Sequence, residues 1–383
     1  MARPTATVAM GAGLSTLAEP RGAAREAARE AIQGLGGRVD LGLVFVSADH
    51  HAAAGEIADV VRETAGARHL VGCVSGGVLA GGRELESGPA VAVWAAELPG
   101  ATIEPFHALP VEDGVSGVPD LDDTSLVVLL ADPFTFPAVP FLEAVNERHA
   151  RSPFVGGLAT GTGEPGGQAL LGDGDVFDEG AVGVAISGVD VTTIVSQGCA
   201  PLGPESVVTE ADGNVVLELA GRPALERLRE IVQGLSEAER RLAAEGLLVG
   251  LVIDENKAEY GREDYLMRGV LGADDDSGAV AIGAPVRVGQ TLRFHARDAS
   301  SADDDLRSAL AAGLPPETAG ALLFTCNGRG TRLFGRPDHD AEAIGDELDD
   351  APAAGFFAAG EIGPVGGESF LHSFTATVAV FPR

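Results

Sequence analysis

The chain has 383 residues, with 26 Lys+Arg against 57 Asp+Glu and a formal net charge of −31. Phosphate backbones and anionic membranes need clustered cation, so neither nucleic-acid binding nor membrane insertion is expected. Hydrophobic residues make up 45% of the chain, enough for a large core, and the length suggests two or three domains.

In chain order, MARPTATVAMGAGLSTLAEP has weak signal-peptide features, but TATVAM is short and β-branched and reads as a first strand. Pro20, then Ala, Arg and Glu, predict a helix over 21–34, stopped by Gly34-Leu-Gly-Gly. LGLVFVS at 41–47 is the apolar run of a strand buried on both faces. A helix at 52–65, a strand at 69–74 and a strand at 90–98 follow. The order recurs as strand 125–131, helix 136–150, strand 153–159 and strand 181–187. It recurs again as strand 321–326, helix 338–349, strand 356–361 and strand 374–381. Between the second and third rounds lies a divergent stretch. It holds one long helix at 223–245, with Leu225, Leu228, Ile231, Val232 and Leu235 at helical spacing, then strands at 247–253, 265–271 and 290–297.

The expected fold class is α/β. It would hold two related α/β domains, residues 1–220 and 221–383, built of mixed, repeated strand–helix–strand–strand units packed together. No Ser- or Pro-rich linker separates the halves.

The 53 glycines are about twice the usual share and follow no G-X-Y period, so they mark turns and close backbone approaches. Lys257 is the single lysine, which points to a GC-rich genome more than to a salt-rich cytoplasm. Cys73, Cys199 and Cys326 lie far apart without C-x-x-C spacing. They give neither a disulfide framework nor a zinc site, and they fit a reducing cytoplasm. No uncharged apolar run reaches the ~18 residues of a membrane span.

Parallel strands joined by a crossover helix end on one sheet edge, and a returning strand starts there. In the last round those positions are Asn327-Gly328-Arg329-Gly330, Glu361 to Pro364 with Gly363 between them, and His372-Ser373. In the first they are Asp49-His50-His51, Cys73 to Gly76 including Ser75, and Ser87. In the middle they are Asp132-Pro133, Thr160-Gly161 and Glu179.

Two glycines around Arg329 suggest an anion-binding concavity with a guanidinium fork, or a tight turn whose Arg pairs with Glu361. Glu361 would then receive a ligand ammonium or form a salt bridge. Asn327, Arg329, Glu361 and His372 are expected to line one cleft that holds a zwitterion, an amino acid or a small carboxylate.

The enzyme alternative uses Cys73 with His50 or His51, or the His372/Ser373 pair, as nucleophile and base. No G-x-S-x-G elbow is present, and a free Cys is more often a small buried hydrophobe. Adjacent His50 and His51 diverge, and no H-x-x-x-H spacing exists, so no metal site is expected. Gly11-Ala-Gly13 lacks a third glycine. Gly161-Thr-Gly163-Glu-Pro-Gly166 leads into a hairpin, so neither reads as a nucleotide loop.

The chain resembles the FIST family, the sensory domains named for F-box and intracellular signal transduction proteins. The first half matches through GAGLST, LGLVFVSADH, GCVSGGVL, PFVGGLATG and VSQGCAPLGPESVVTEADGNVVLEL. The second matches through DYLMRGVLG, LFTCNGRG and GFFAAGEIGPVGGESFLH. The family often has a second Ser where Val74 stands. The resemblance implies tandem FIST N and FIST C domains that sense small ligands, such as amino acids, and couple to signalling partners. Some members resemble haem-binding nitric oxide sensors. A haem reading needs an axial His in an apolar pocket, and His372, between Leu371 and Phe374, is the candidate. No catalytic residue carries over. The chain leaves no room for a kinase, methyl-accepting or F-box module, so a separate protein partner or a change of oligomer would supply the output.

Overall fold

The computed structural model describes residues 7–149 and 151–383. Thr5 and Ala6 of the expected first strand, and Ala150 of the expected third helix, lie outside them. The first round is β1 (Ala9–Ser15), α1 (Pro20–Ala31), β2 (Leu41–Ser47), α2 (Ala54–Ala65), β3 (His69–Ser75), β4 (Val78–Ala80), β5 (Arg83–Leu85) and β6 (Val91–Glu97). The second is β7 (Thr102–Val111), β8 (Gly114–Ser116), β9 (Thr124–Ala131), α3 (Ala138–His149), β10 (Phe154–Leu158), β11 (Leu170–Gly172), β12 (Asp175–Phe177) and β13 (Ala181–Ser187). β14 (Thr192–Ser196) opens the third round, which an insertion interrupts. The insertion carries β15 (Cys199–Asp212), β16 (Val215–Leu219), β17 (Arg222–Pro223), α4 (Ala224–Gly234), α5 (Glu237–Glu245), β18 (Leu247–Val252), β19 (Tyr265–Asp274), β20 (Ala279–Ile282) and β21 (Thr291–Arg297). After α6 (Ala299–Gly313) the round resumes with β22 (Thr318–Cys326), α7 (Thr331–Phe334), α8 (His339–Glu347), β23 (Ala353–Ala358), β24 (Glu361–Val365), β25 (Glu368–His372) and β26 (Ala376–Pro382).

The α/β repeats read from the sequence are present. In each round the first and second strands run parallel, β2 with β3, β9 with β10 and β22 with β23. The return strand, β6, β13 or β26, lies antiparallel on the other side of the first. A hairpin between second and return strands then leaves for another round's sheet. β4–β5 adds to β23, β11–β12 adds to β3, and β24–β25 adds to β10. The sheets therefore share one order: β1-β6-β2-β3-β11-β12, then β7-β13-β9-β10-β24-β25 with β8 beyond β7, and β14-β26-β22-β23-β4-β5.

The chain clusters into two compact units. Residues up to Val195 together with Arg307–Arg383 form one, and Ser196–Leu306 form the other. The first holds all three rounds; the second is a sheet in the order β15-β21-β18-β19-β20-β16-β17 with α4 and α5. The long helix expected at 223–245 is broken into α4 and α5, because Ser236 starts a new helix with a capping box to Glu239. The strand expected at 356–361 ends at Ala358, and Glu361 opens the exchanged hairpin instead.

Strand faces follow the two-residue period. Leu41, Leu43 and Phe45, with Leu126, Val128 and Leu130, and with Leu322 and Phe324, face one common core. Val44 and Val46 face α1 and α2, while Val127 and Leu129 face α3. Gly11 and Gly13 let α1 approach β1: a Cβ at Gly13 would sit 2.1 Å from the Ala27 carbonyl oxygen. That is the structural use of the first glycine motif.

Each second strand carries a glycine at an equivalent register. Gly72, Gly156 and Gly355 lie opposite Val44, Leu129 and Leu323 on one side. On the other side they face Leu171, Ile362 and Leu79 of the incoming hairpins. A Cβ at these glycines would fall 1.9, 2.0 and 1.6 Å from the carbonyl oxygens of Val44, Leu129 and Leu323. The strand pair must open to accept it. Gly355→Ala is therefore expected to cost about 3 kcal/mol or more. Gly36→Ala, where no heavy atom lies within 4 Å of the added Cβ, is expected to be near neutral. Urea denaturation of both variants checks this, and equal midpoints would refute it.

Candidate functional site

The hairpin exchange carries strand ends from all three rounds to one place. A cleft of 190 Å³ is lined by Gly76 and Gly77 after β3, Glu86 after β5, Thr160 after β10, Asn327 after β22, and Phe357 in β23. This is the carboxyl edge of parallel strands, where α/β sheets place ligands. Ser75 supports it from beneath: its hydroxyl donates to the Phe357 carbonyl oxygen at 2.7 Å and lies 3.0 Å from Thr160 Oγ1. The Gly76 N–H donates to that same Thr160 oxygen at 2.5 Å. Glu86 Oε1 accepts from the Thr331 N–H and hydroxyl, at 2.8 and 2.6 Å. Gly330, at φ 62°, leaves room for this carboxylate, since a Cβ there would lie 2.7 Å from Glu86 Cδ.

Of the four residues expected to share a cleft, Asn327 alone lines this one. Arg329 is turned inward and 1% exposed. Its Nε and Nη2 donate to the two Asp340 carboxylate oxygens at 2.7 and 2.8 Å, a bidentate pair. Burial opposes the charge on both partners, yet their mutual attraction wins. The guanidinium is held above its usual range and the Asp340 carboxyl below its own, with further bonds to Asp340 from His339 and Thr325. The expected Arg329–Glu361 pair is replaced because Asp340, on α8, reaches the guanidinium first.

Glu361 is fully buried and accepts from the Thr375 N–H at 3.0 Å and hydroxyl at 2.8 Å. Burial pushes its carboxyl up to about 8 against these hydrogen bonds, with the Cys326 thiol beside it. Glu84 on β5 accepts from the Ala341 N–H at 2.9 Å, and burial and Asp340 push it up to about 7.

His372 is 1% exposed, and its Nε2 bonds the Gly363 carbonyl oxygen across the hairpin at 2.9 Å. His372 is not part of the cleft lining. Ser373 is half-buried in the turn that follows. Gly363 is a packing position, where a Cβ would meet Val195 and Thr377 at 2.6 and 2.7 Å. The Gly328 N–H donates to Cys326 Sγ at 3.4 Å. Cys73 sits in the common core, where burial pushes its thiol up, so the nucleophilic thiolate is disfavoured. His50 bonds the Leu17 carbonyl oxygen at 3.1 Å, and Asp132 bonds Phe134 N and Thr135 Oγ1 locally. Among the described residues no group of His, Cys, Asp and Glu is arranged to hold a metal ion.

Sequence reasoning placed Thr160 and Gly76 at strand ends but missed Glu86, Gly77 and Phe357. The only signal for Glu86 was its neighbour Ser87, at the expected start of a return strand.

Two outcomes follow for the interior. Arg329→Ala strands a buried carboxylate and is expected to cost about 3–5 kcal/mol. The Arg329→Ala/Asp340→Ala double variant should lose less than the sum of the singles in urea denaturation; additive losses would count against the pair. Glu361 is raised in the folded state, so the folded protein keeps a proton that the unfolded chain releases above about pH 4.5. Its stabilisation is full below that pH and is lost as pH rises toward about 8, at about 1.4 kcal/mol per pH unit. Denaturation across that window should show a shallower pH slope for Glu361→Gln than for the wild type; identical slopes would refute it.

Comparison with known proteins gives the family. The FIST N domain model matches residues 40–222 and the FIST C domain model residues 224–364. An uncharacterized protein of Mycobacterium tuberculosis is 46% identical over 381 residues, covering 97% of this chain and 99% of the relative. One of Mycobacterium bovis is 44% identical over 381 residues, covering 97% and 98%. FIST domains are associated with signal transduction and sensing. With two family models in tandem over most of its length, the chain belongs to the FIST family.

Proposed function

We propose that this protein is a cytoplasmic sensor that binds a small ligand in the cleft at Asn327 and passes the signal to a separate protein partner. The observation that supports it is the lining: one cleft draws residues from all three rounds. A ligand there touches the crossing points of the exchanged hairpins, so it can bias how the sheets pack.

In this reading Asn327 is the direct contact, and Ser75 acts through Thr160. Gly328 and Gly330 shape the loop, and Arg329 anchors it through Asp340. Glu361, Gly363, His372, Ser373 and Cys73 serve the packing beneath. Residues 1–220 and 221–383 are proposed as the two inherited modules; residues 307–383 complete sheets begun by the first. An amino acid would present its ammonium group to Glu86. A small carboxylate would have no side-chain cation to meet among the lining residues. Against membrane insertion stands the absence, among the described residues, of a helix long and apolar enough to cross.

Mass spectrometry of small molecules co-purified with the protein identifies candidates, and thermal-shift titration tests them. Asn327→Ala is expected to lower affinity about five- to tenfold, as one hydrogen bond would, without lowering the melting temperature of the free protein. A ligand that stabilises wild type, Asn327→Ala and Thr160→Val equally would place the site elsewhere.

A further inference from the structure

The cleft is a site of hydrogen-bond acceptors with one unpaired negative charge. Ser75 has a single hydroxyl proton, and it goes to the Phe357 carbonyl oxygen. The Thr160 hydroxyl must therefore donate its own proton to Ser75 Oγ, 3.0 Å away. Thr160 Oγ1 already accepts from the Gly76 N–H, so it shows a ligand only a remaining lone pair.

Glu86 holds Thr331 with Oε1, and among the described residues Oε2 has no donor. No Lys, Arg or His pairs with Glu86 among the described residues. Arg329, the cation of the Asn327 loop, is committed to Asp340 in the interior. Asn327 is exposed and adds a carboxamide that can accept or donate. Phe357 is the aromatic residue of the lining, compatible with a cation. The net charge of −31 strengthens the bias, since the field of the whole chain concentrates cations and repels anions. At 190 Å³ the cleft is below the ~300–1,000 Å³ of drug-sized sites, so its ligand is small.

We propose that the cleft binds a small organic cation, a primary alkylammonium group on a short apolar body, with Glu86 as its counter-charge and Thr160 and Asn327 as orienting partners. An ammonium brings three donors to this set of acceptors, whereas a carboxylate brings none, and both carboxylate and phosphate meet like charge. The proposal rests on the cleft being the ligand site, and its test separates the two.

The probes are propylammonium, propionate, alanine and Mg²⁺, followed by calorimetry and ligand-observed NMR on the full chain. Propylammonium should bind and propionate should not. Glu86→Gln keeps an Oε1 acceptor for Thr331, so the loop is retained, and an unchanged melting temperature verifies that. It should weaken propylammonium about tenfold or more, while Asn327→Ala weakens it less. Raised salt should weaken binding to wild type more than to Glu86→Gln.

Propionate binding that is sensitive to Asn327→Ala and blind to Glu86→Gln would overturn the cation and leave the cleft standing. Mg²⁺ binding that depends on Glu86, with no propylammonium bound, would overturn the organic ligand. Alanine binding more tightly than propylammonium would overturn the exclusion of a carboxylate. Propylammonium binding that none of Glu86→Gln, Asn327→Ala or Thr160→Val affects would overturn both the proposal and the cleft. Absence of propylammonium binding overturns the proposal.

Discussion

The hydrogen bonding of β3, β10 and β23 to hairpins from other rounds is the constraint on which this structure depends. A second strand has one edge covered by the first strand of its own round and one edge open. An open, apolar edge is an aggregation hazard. Here each open edge is closed by a hairpin that another round supplies, in a cycle with no strand left over. Polar clasps fix each arrival. Asp173 accepts from Leu70 N and bonds His69; Asn146 exchanges two bonds with Ser369; Glu84 bonds Ala341 N while Asp338 takes Glu84 N. No round completes its sheet without a hairpin from another round, so chain segments far apart in sequence fold as one body.

The cleft is a by-product of that cycle. Gly76 and Gly77 must carry the chain from the end of β3 to β4 in the third sheet. They cross beside the ends of β10 and β22, and Thr160 and Asn327 sit there. Glycine is needed at this crossing because a Cβ on Gly77 would lie 2.8 Å from the Phe357 ring and 2.9 Å from the Leu85 carbonyl oxygen. Beneath it, Arg329 and Asp340 tie the Asn327 loop to α8, and Glu84 ties α8 to the arriving hairpin. A buried pair of this kind adds little net stability against well-packed apolar groups, but breaking one half is costly. Its value here is positional: it keeps the loop that carries Asn327 in one place.

Much of the layer structure was legible in the residues. LGLVFVS and SLVVLLA are too apolar for anything but strands covered on both faces, and they are β2 and most of β9. The three strand–helix–strand–return rounds follow from that period. The exchanged hairpins were harder to see, because strands of three residues such as β4, β5 and β11 are too short to show alternation. The break at Ser236 was visible as Ser-x-x-Glu, but the hydrophobic spacing on either side masked it. Glu361 was expected to close the second strand and His372 to precede the return strand; they instead open β24 and close β25. Strand ends on an exchanged hairpin, however, are covered by the sheet they join, and both side chains became interior.

By itself the sequence determined the composition of each layer: which stretches are strands, which are helices, and which carry the polar residues between them. Those are local properties, set by hydrophobic period and by caps within a few residues. Only the tertiary structure decided partners. Whether Arg329 meets a ligand, Glu361 or Asp340 depends on which of two carboxylates the fold brings within 3 Å of it. That is a matter of hairpin destination rather than residue type. Glu86 reached the cleft for the same reason, because β5 ends in a sheet whose parallel strands lie more than 200 residues further along the chain.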